Sequence, residues 1–334
     1  MIRVCLIGCG SIARAAHGPA LRRLQAEGAA ELLACCSRNP KHAEEFGRTF
    51  GFHRFYGDYA EMLRAEKPDA VFCLLPVAQN AACAADVLRR GCAVIMEKPP
   101  GVDKREADAI TAAAKESGRY HAVLFNRRSM PLVRKAKELL AGETLEAVSL
   151  EMCREGRTGG DFTTTAIHGI DCLRFLTGRD YESLTFAYQE DGETQNTNYF
   201  VTGRMEGGAH VDMRFLPRAG AVTERICLYT PGSQLYLHLP VWSGTTYAPG
   251  LDTPGLLSVA QGEREILRVS GQELSRTWEG FVLNGFYEED RIALAEAEGG
   301  LKISFSVADS LQSVAVAAAM RERRTEYQRE KDSI

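Results

Sequence analysis

The chain has 334 residues, of which 45% are hydrophobic and 25% are charged, and its formal net charge at pH 7 is -4. This length predicts about two domains, and the charge excludes the overall basic field that binds nucleic acid or an anionic membrane. The ten cysteines lie mostly in apolar segments and form no C-x-x-C pair. This pattern excludes a disulfide framework or a zinc site and predicts buried thiols in a reducing compartment, with no metal bound.

The first third of the chain alternates apolar strand-like segments with helical segments. The predicted strands cover 4–8, 31–36, 69–75, 93–97 and 120–126, and the predicted helices cover 11–28, 41–51, 78–91 and 104–118. Because strands that alternate with helices at this spacing are joined by right-handed crossovers, the pattern predicts a doubly wound parallel sheet.

The segments that follow a predicted helix at 131–140 have a different residue pattern. They are strand-like at 145–153, 184–189, 197–205, 210–216, 224–230, 234–239 and 265–269. In the fourth of these, Val211, Met213 and Phe215 alternate with polar residues, which is typical of an antiparallel sheet covered on one face. Helices at 280–297 and 306–328 are predicted to close the chain, and we interpret the charged tail as a frayed helix end.

The turn after the first strand has the sequence GCGSIA, which matches the dinucleotide fingerprint G-x-G-x-x-G/A. Gly8 permits the tight turn, Gly10 lets the backbone approach a pyrophosphate, and Ala13 allows close packing of helix on strand. Ser11 and Ile12 open that helix and are predicted cofactor contacts. A strand before the motif and a helix after it are the required context, and an ordinary glycine turn is the alternative.

The end of the second strand indicates which dinucleotide binds. NAD enzymes usually place Asp or Glu there to accept a hydrogen bond from the ribose 2'-hydroxyl, whereas this chain has Ser37 and Arg38. Because a hydroxyl and a guanidinium suit a 2'-phosphate, NADP(H) is favoured over NAD(H). The alternative is that Ser37 caps the next helix and Arg38 is merely exposed.

The strand at 93–97 ends with two adjacent charges, Glu97 and Lys98, which precede Pro99. Since a proline cannot continue a central strand, both charges are predicted at the carboxyl edge of the sheet, where open α/β sheets bind ligands. A helix cap or a surface ion pair is the alternative.

These motifs resemble the glucose-fructose oxidoreductase, inositol dehydrogenase and MocA family (Gfo/Idh/MocA). The likeness rests on GCGSIA, on MEKPP at 96–100, on FNRRSMP at 125–131 and on IHGIDCLRFLTG at 167–178. The resemblance implies an α/β fold: an N-terminal Rossmann domain with a doubly wound parallel sheet over 1–124, and a C-terminal α/β domain with a large open, mainly antiparallel sheet over 125–334. We leave open whether the last helix packs back on the first domain.

The resemblance also implies roles for individual residues. Lys98 contacts the reacting oxygen, Glu97 lies beside the nicotinamide ribose, and His168 faces the substrate; a packing histidine is the alternative for His168. Hydride transfer at a C–OH group requires a proton acceptor, and a partly desolvated lysine near a cationic nicotinamide is expected to have a lowered pKa, so Lys98 is the predicted acid/base. Asp171, three residues after His168, is predicted to orient its ring or bind a substrate hydroxyl.

Some positions depart from the family pattern. Many family dehydrogenases have an aspartate where this chain has Thr164, and relatives often have a histidine where it has Asn80. A threonine hydroxyl binds hydroxylated ligands but is no base at neutral pH. Asn80 and Pro76 are predicted either to border the cofactor or to begin a helix, and Arg127 and Arg128 either to clamp a substrate or to stay exposed.

Together these features predict an NAD(P)-dependent oxidoreductase that transfers hydride between nicotinamide and a sugar, polyol or sugar-derived carbonyl. The alternatives are a non-catalytic NAD(P)-binding sensor of the same fold, which Thr164 favours, and an NAD-dependent glycosidase. The expected partners are a small polyhydroxylated substrate and further copies of the chain, as a homodimer or homotetramer through the C-terminal sheet. The first apolar segment starts at Ile2 and no apolar run reaches membrane-spanning length, so we expect a cytoplasmic protein without membrane contact.

Overall fold

The computed structural model describes residues 1–157, 161–194, 196–241, 253–299 and 304–329. The chain divides into two compact units, and both combine an early stretch of sequence with a late one. The first unit comprises Met1–Asn126 with Gly280–Val314, and the second comprises Arg127–Glu279 with Ala315–Ile334.

The first unit contains a six-stranded parallel sheet. Its strands are β1 (Ile2–Ile7), β2 (Ala30–Cys36), β3 (Arg54–Tyr56), β4 (Ala70–Cys73), β5 (Ala93–Glu97) and β6 (His121–Leu124). The strand order is β3-β2-β1-β4-β5-β6, so the direction in which strands are added reverses between β1 and β4. The predicted doubly wound parallel sheet is confirmed, and ligands of such sheets bind at the carboxyl edge near this reversal.

The helices follow from local signals in the sequence. They are α1 (Gly18–Ala26), α2 (Pro40–Phe50), α3 (Tyr59–Glu66), α4 (Val77–Arg89), α5 (Lys104–Ser117), α6 (Pro131–Leu139), α7 (Thr163–Thr177), α8 (Gly271–Ser275), α9 (Gly280–Leu283), α10 (Phe286–Gly299) and α11 (Val307–Arg321). Asn39 caps α2 by accepting a hydrogen bond from the Lys41 amide at 3.1 Å, and Gly51 ends it with a φ of 92°. Asp103 caps α5 through the Glu106 amide.

The helix after the fingerprint turn is not uniform. Its segment Ala13–His17 is a π-helix, and α1 continues from Gly18 and ends at Ala26. Short π segments inside α-helices are frequent at functional sites. The predicted single helix therefore exists but contains a local change of winding, and its last π residue, His17, is fully buried.

Two elements of the first unit were missed by the sequence analysis. β3 has three residues and pairs with β2 at the edge of the sheet, so it is too short to show an alternating pattern. α3 has eight residues, and Asp58 caps it by accepting a hydrogen bond from the Glu61 amide at 2.7 Å. That aspartate is a signal which could have located α3.

The core of the first unit lies between the sheet and its helices. Fully buried large side chains on both sides of this interface are Leu6, Leu21, Leu24, Leu32, Phe46, Phe72 and Ile95. Burial of such a side chain stabilises the fold by about 1.5–3 kcal/mol. The thiols of the chain are free, and all except the half-buried Cys227 are buried, which confirms their interpretation as small core residues.

The second unit contains a nine-stranded sheet. Its strands are β7 (Ala147–Cys153), β8 (Tyr181–Asp191), β9 (Asn196–Met205), β10 (His210–Leu216), β11 (Thr223–Tyr229), β12 (Gln234–His238), β13 (Leu256–Gln261), β14 (Arg264–Ser270) and β15 (Glu326–Gln328). The order is β14-β13-β12-β11-β7-β10-β9-β8-β15, and every pairing is antiparallel except the parallel pair of β7 and β10. The prediction of a mainly antiparallel sheet is confirmed.

Two sequence predictions for the later part of the chain need correction, and two elements, β13 and α8, were not predicted. The predicted helix at 280–297 is interrupted at Gly285, which has a φ of 84°. The predicted helix at 306–328 ends at Arg321, and Glu326–Gln328 forms β15 against β8. The left-handed Arg323, with a φ of 57°, turns the chain out of the helix.

The interpretation of the tail as a helix end is therefore wrong for the residues of β15, and residues 330–334 lie outside the described part. No helix in that described part is both long and apolar enough to cross a membrane.

Candidate functional site

The predicted cofactor residues share one edge of the parallel sheet. Each follows or ends a strand: Gly8, Gly10, Ser11 and Ile12 after β1, Ser37 and Arg38 after β2, Pro76 and Asn80 after β4, and Glu97 at the end of β5. Because parallel strands have their carboxyl ends at the same edge, the first unit brings these residues to a single edge. Lys98 follows Glu97 there, whereas His168 and Asp171 lie on α7 of the second unit.

The two glycines of the fingerprint have different surroundings. Gly8 has a φ of 104°, and a Cβ atom at this position would lie 2.3 Å from the carbonyl oxygen of Leu74, so only glycine fits. A Cβ atom at Gly10 would meet no atom within 4 Å. The open space beside the Gly10 backbone fits the close approach of a pyrophosphate that the motif predicts.

The end of β2 presents Ser37 and Arg38 without a competing structural role for the serine. The Ser37 amide donates to the Tyr56 carbonyl oxygen at 3.1 Å, and Arg38 is exposed. Since Asn39 caps α2, the alternative that Ser37 caps this helix is wrong.

Asn80 links α4 to the end of β5. Its Nδ2 donates to the Glu97 carbonyl oxygen at 2.6 Å, and the side chain is buried. Its Oδ1 is buried and accepts no hydrogen bond from the described residues. A buried acceptor without a donor is costly, so a donor on a bound group fits this atom. Pro76 is the N-cap residue of the same helix.

Glu97 is held by its own neighbours in sequence and in space. Its Oε2 accepts a hydrogen bond from the Lys98 amide at 3.1 Å, and its Oε1 lies 3.1 Å from Nε2 of His17. The side chain is nearly buried, which contradicts the alternative of a surface ion pair. Lys98 is half-buried, and the Lys98–Pro99 peptide bond is cis.

The sequence analysis missed two residues of this site, His17 and Asp290. Nδ1 of His17 lies 3.0 Å from both carboxylate oxygens of Asp290, and both residues are fully buried. Burial lowers the pKa of His17, but the carboxylates of Asp290 and Glu97 outweigh it and raise this pKa well above its usual value. The two residues are 273 positions apart, so no local pattern could have paired them.

The same cluster includes Glu289, which is also fully buried. Ligand atoms of His17, Glu289 and Asp290 lie within 4.8 Å of one another, a spacing that could hold a cation. Both nitrogens of His17 already contact carboxylates, however, and a cation would have to displace one of these contacts. We therefore assign the cluster as a hydrogen-bonded network.

In the second unit, α7 carries the residues predicted to face the substrate. His168 is half-buried, whereas Asp171 is fully buried. Arg128 donates to both oxygens of Asp171, from Nε at 2.7 Å and from Nη2 at 2.5 Å. This buried ion pair weighs against the predicted direct contact of Asp171 with a substrate.

Thr164, at the position where many family dehydrogenases have an aspartate, lies in the first turn of α7. Its hydroxyl donates to the Asp161 carbonyl oxygen at 2.9 Å, and Oδ1 of Asp161 accepts from the Thr163 amide at 2.9 Å. The Thr164 and Asp161 side chains thus provide hydrogen-bond partners for backbone groups at the start of the helix. His168 follows one turn later.

The arginines of FNRRSMP are not exposed. Arg127 donates from Nη2 to Oε1 of Glu224 at 2.6 Å, and Arg154 donates to the same carboxylate. Burial raises the pKa of Glu224, but the two guanidiniums outweigh it and lower this pKa to about 2. The expectation of an exposed arginine is therefore wrong for Arg127 as well as for Arg128, which is 5% exposed.

Comparison with known proteins finds a family match for the N-terminal part of the chain. Residues 2–125 match the family GFO_IDH_MocA, described as "Oxidoreductase family, NAD-binding Rossmann fold". Trans-1,2-dihydrobenzene-1,2-diol dehydrogenase from Oryctolagus cuniculus is 32% identical over 161 residues, which cover 44% of this chain and 48% of that protein. A dTDP-3,4-didehydro-2,6-dideoxy-alpha-D-glucose 3-reductase from Actinomadura kijaniata is 37% identical over 117 residues, or 35% of this chain and 34% of that protein. The chain thus spans half or less of the length of these curated relatives.

Solved structures match over nearly the whole chain. A Gfo/Idh/MocA family oxidoreductase from Vibrio cholerae has a TM-score of 0.79 at 21% identity, covering 97% of this chain and 98% of the other. A 3-ketoreductase from Actinomadura kijaniata, solved in complex with NADP and TDP-benzene, has a TM-score of 0.76 at 20% identity, covering 96% and 97%. At these identities the likeness shows the fold. The predicted resemblance is therefore confirmed: residues 2–125 match the family's NAD-binding Rossmann fold, and the fold of the chain is similar to that of solved Gfo/Idh/MocA oxidoreductases.

Proposed function

We propose that the protein is an NADP(H)-dependent oxidoreductase that transfers hydride between nicotinamide and a sugar, polyol or sugar-derived carbonyl. The observation that carries this proposal is the placement of Glu97 and Lys98 on the sheet edge that also carries the open turn at Gly10. The relatives named as a dihydrobenzene-diol dehydrogenase and a didehydro-dideoxy-glucose 3-reductase support this class of chemistry.

The dinucleotide is assigned to the carboxyl edge of the parallel sheet. Backbone atoms at Gly8 and Gly10 hold the pyrophosphate, and the free space at Gly10 accommodates it. The buried Oδ1 of Asn80 would accept a hydrogen bond from the bound dinucleotide. When bound, the cofactor supplies or accepts the hydride.

Lys98 is the proposed acid and base. During oxidation its amino group takes the proton of the substrate hydroxyl, and during reduction it returns a proton to the carbonyl oxygen. The contact between the Glu97 carboxylate and the Lys98 amide fixes the backbone from which this side chain projects. His168 is the proposed ligand of a substrate hydroxyl, and Asp171 is paired with Arg128.

The preference for NADP(H) rests on Ser37 and Arg38 at the end of β2. The exposed guanidinium of Arg38 and the Ser37 hydroxyl suit the 2'-phosphate, which carries charge that a ribose hydroxyl lacks. The structural relative solved with NADP supports the same choice.

The experiment that tests this function is the substitution Lys98→Met. We expect the dissociation constant for NADPH to change by less than about twofold, because the ammonium group contacts the substrate. Turnover of a polyol or keto-sugar substrate should fall by about a hundredfold to ten-thousandfold. Lys115→Met, at an exposed position of α5, is the matched control and should keep wild-type rates. Wild-type turnover in Lys98→Met would contradict the proposed role.

A second candidate function is a dinucleotide-binding sensor without turnover. Two observations favour it. Where many family dehydrogenases have an aspartate, Thr164 donates its hydroxyl to the Asp161 carbonyl oxygen at the start of α7, and the Asp171 carboxylate is paired with Arg128. A broad panel of polyols and keto-sugars with both cofactors separates the two functions. Tight NADPH binding without oxidation or reduction of any substrate supports the sensor.

The partner proposed for the second unit is another copy of the chain. The uncovered face of the large sheet presents Phe200, which is 36% exposed, opposite Arg214. A half-covered antiparallel sheet with an exposed aromatic residue is a surface on which subunits pack. Phe200→Asp should shift the mass measured by light scattering towards the monomer, whereas Leu274→Asp, at an equally exposed apolar position of α8, should leave it unchanged.

A further inference from the structure

In the second unit, the segment between β7 and α7 contains an arginine, Arg157, that is exposed and yet anchored. Its carbonyl oxygen accepts from Nδ2 of Asn196 at 2.7 Å, and its Nη1 donates to the Thr165 hydroxyl at 2.6 Å. Its guanidinium carbon lies 5.3 Å from the centroid of the Phe162 ring. A free arginine side chain moves among many rotamers and loses entropy when a ligand fixes it. These contacts hold the Arg157 guanidinium in place before a ligand binds, which lowers that cost.

The anchors of Arg157 are neutral. Its hydrogen-bond acceptor is a hydroxyl, and none of the carboxylates in the described ranges forms an ion pair with it. The neighbouring Arg154 is already paired with Glu224. Partial burial and repulsion by Arg154 lower the pKa of Arg157, although the more distant Asp161 carboxylate raises it. The guanidinium is therefore in a place where an additional negative charge stabilises it.

The guanidinium also has the donors that an anion needs. A guanidinium carries five N–H groups, and in the described part of the chain only the hydrogen bond to Thr165 uses one of those of Arg157. The remaining N–H groups form a planar fork. Such a fork matches the paired oxygens of a carboxylate or a phosphate, which it binds with two parallel charge-assisted hydrogen bonds.

The contact with Thr165 places Arg157 beside the proposed substrate ligand His168. Among residues 163–170 of α7, the half-buried ones are Thr164, Thr165 and His168, and the others are buried. Residues three positions apart lie on the same face of a helix, about 4.5 Å apart along its axis. Arg157 therefore contacts the same stripe of α7 that carries His168, and a single sugar unit can span the two side chains.

We propose that the substrate is a sugar or polyol that carries a carboxylate or a phosphate, and that Arg157 binds this anionic group while His168 binds a hydroxyl of the same molecule. This inference rests on the proposed function, because it assigns the substrate class of that reaction. The anionic group lies away from the carbon that exchanges hydride, so its binding energy selects and orients the substrate. Arg157 is thus the residue that determines specificity for charge.

The experiment compares neutral hexoses and hexitols with the sugar acids and phosphate esters of the same carbon skeletons. The readout is the ratio of kcat/KM for the anionic substrate to kcat/KM for its neutral counterpart. This ratio should exceed about ten in the wild type, and Arg157→Gln should lower it by about tenfold to a hundredfold, because hydrogen bonds to a charged group are lost. The anionic series with the higher ratio identifies the group as carboxylate or phosphate.

Two further variants sharpen this measurement. Arg157→Lys keeps the charge but not the planar fork, so its ratio should lie between those of the wild type and Arg157→Gln. Arg268→Gln removes an exposed arginine of β14 that is paired with Glu265, and as the matched control it should leave the ratio unchanged.

The outcomes separate this inference from the proposed function. If the wild type turns over substrates but prefers the neutral ones, or if Arg157→Gln has the wild-type ratio, the inference is overturned and the proposed function stands. If the wild type turns over no substrate, the proposed function fails, and calorimetric titration with the sugar acids and phosphate esters decides. Weaker binding to Arg157→Gln than to the wild type then supports the anion site, and equal or undetectable binding to both overturns it. Should Arg157→Gln fail to fold, the same comparisons are made with Arg157→Lys.

Discussion

The buried charges of the two units are arranged in opposite ways. In the first unit, His17 is surrounded by carboxyls, and the network ends at Glu97 on the sheet edge. In the second unit, the Asp171 carboxylate is fully buried and both of its oxygens accept from one guanidinium, that of Arg128, so charge is matched inside the fold. A network that ends at the edge of a sheet can act on a ligand bound there, whereas a matched internal pair serves the fold. We therefore expect substitutions in the buried charge pairs of the second unit to alter stability, and substitutions at the sheet edge of the first unit to alter cofactor binding.

The largest effect is expected from the buried pair of the second unit. Asp171→Ala leaves the Arg128 guanidinium, which is 5% exposed, without its carboxylate partner. Removing one member of a buried ion pair costs about 3–5 kcal/mol, because the remaining charge stays desolvated. Urea unfolding should show this loss. NADPH affinity, measured at a temperature where the variant is folded, should stay at the wild-type value.

The next effect is the acid sensitivity that Glu224 gives to the same unit. Its folded-state pKa of about 2 lies below the ordinary value of 4.5, so its stabilising contribution is complete above about pH 4.5 and is lost as the pH falls through about 2. The shift corresponds to about 3 kcal/mol. Glu224→Gln should remove this part of the pH dependence in urea titrations between these limits. An unchanged slope in the variant would contradict the assignment.

At the carboxyl edge of the parallel sheet, substitutions of the two fingerprint glycines should affect stability and cofactor binding differently. Gly10→Val places its side chain in open space, so the melting temperature should change by less than about 2 °C while NADPH binding weakens by about tenfold or more. Gly8→Ala should lower the melting temperature, because its Cβ atom clashes with the Leu74 carbonyl oxygen. Equal NADPH affinity in Gly10→Val and the wild type would contradict the proposed binding of the cofactor at this turn.

The smallest effect concerns the choice between the two dinucleotides. Arg38→Ala should weaken NADPH binding by about tenfold and leave NADH binding unchanged, because a charge-assisted hydrogen bond to the 2'-phosphate is lost. Arg22→Ala, at an exposed arginine of α1, is the control. If Arg38→Ala weakens both dinucleotides equally, the guanidinium does not discriminate between them.

The layout of the first unit and most of its proposed site could be predicted from local sequence patterns. Alternating apolar segments located five of its six strands, since only the three-residue β3 was too short to show a pattern. The positions of the turn at Gly8 and of the charges of Glu97 and Lys98 could be predicted for a physical reason. In a parallel sheet, the residue that follows a buried strand lies at the carboxyl edge. The same logic holds for Ser37 and Arg38.

The partners of the buried charges could not be predicted, because they are set by long-range packing. The sequence gives no sign that His17 meets Asp290, because residues 273 positions apart are joined by packing and not by periodicity. For the same reason the sequence left Arg128 either as a substrate clamp or as an exposed residue, and Asp171 as a partner of the His168 ring or of a substrate hydroxyl, whereas the fold pairs Arg128 with Asp171. The strand of Glu326–Gln328 was likewise decided by the free edge of β8, which offers backbone hydrogen bonds that no local helical signal can reveal.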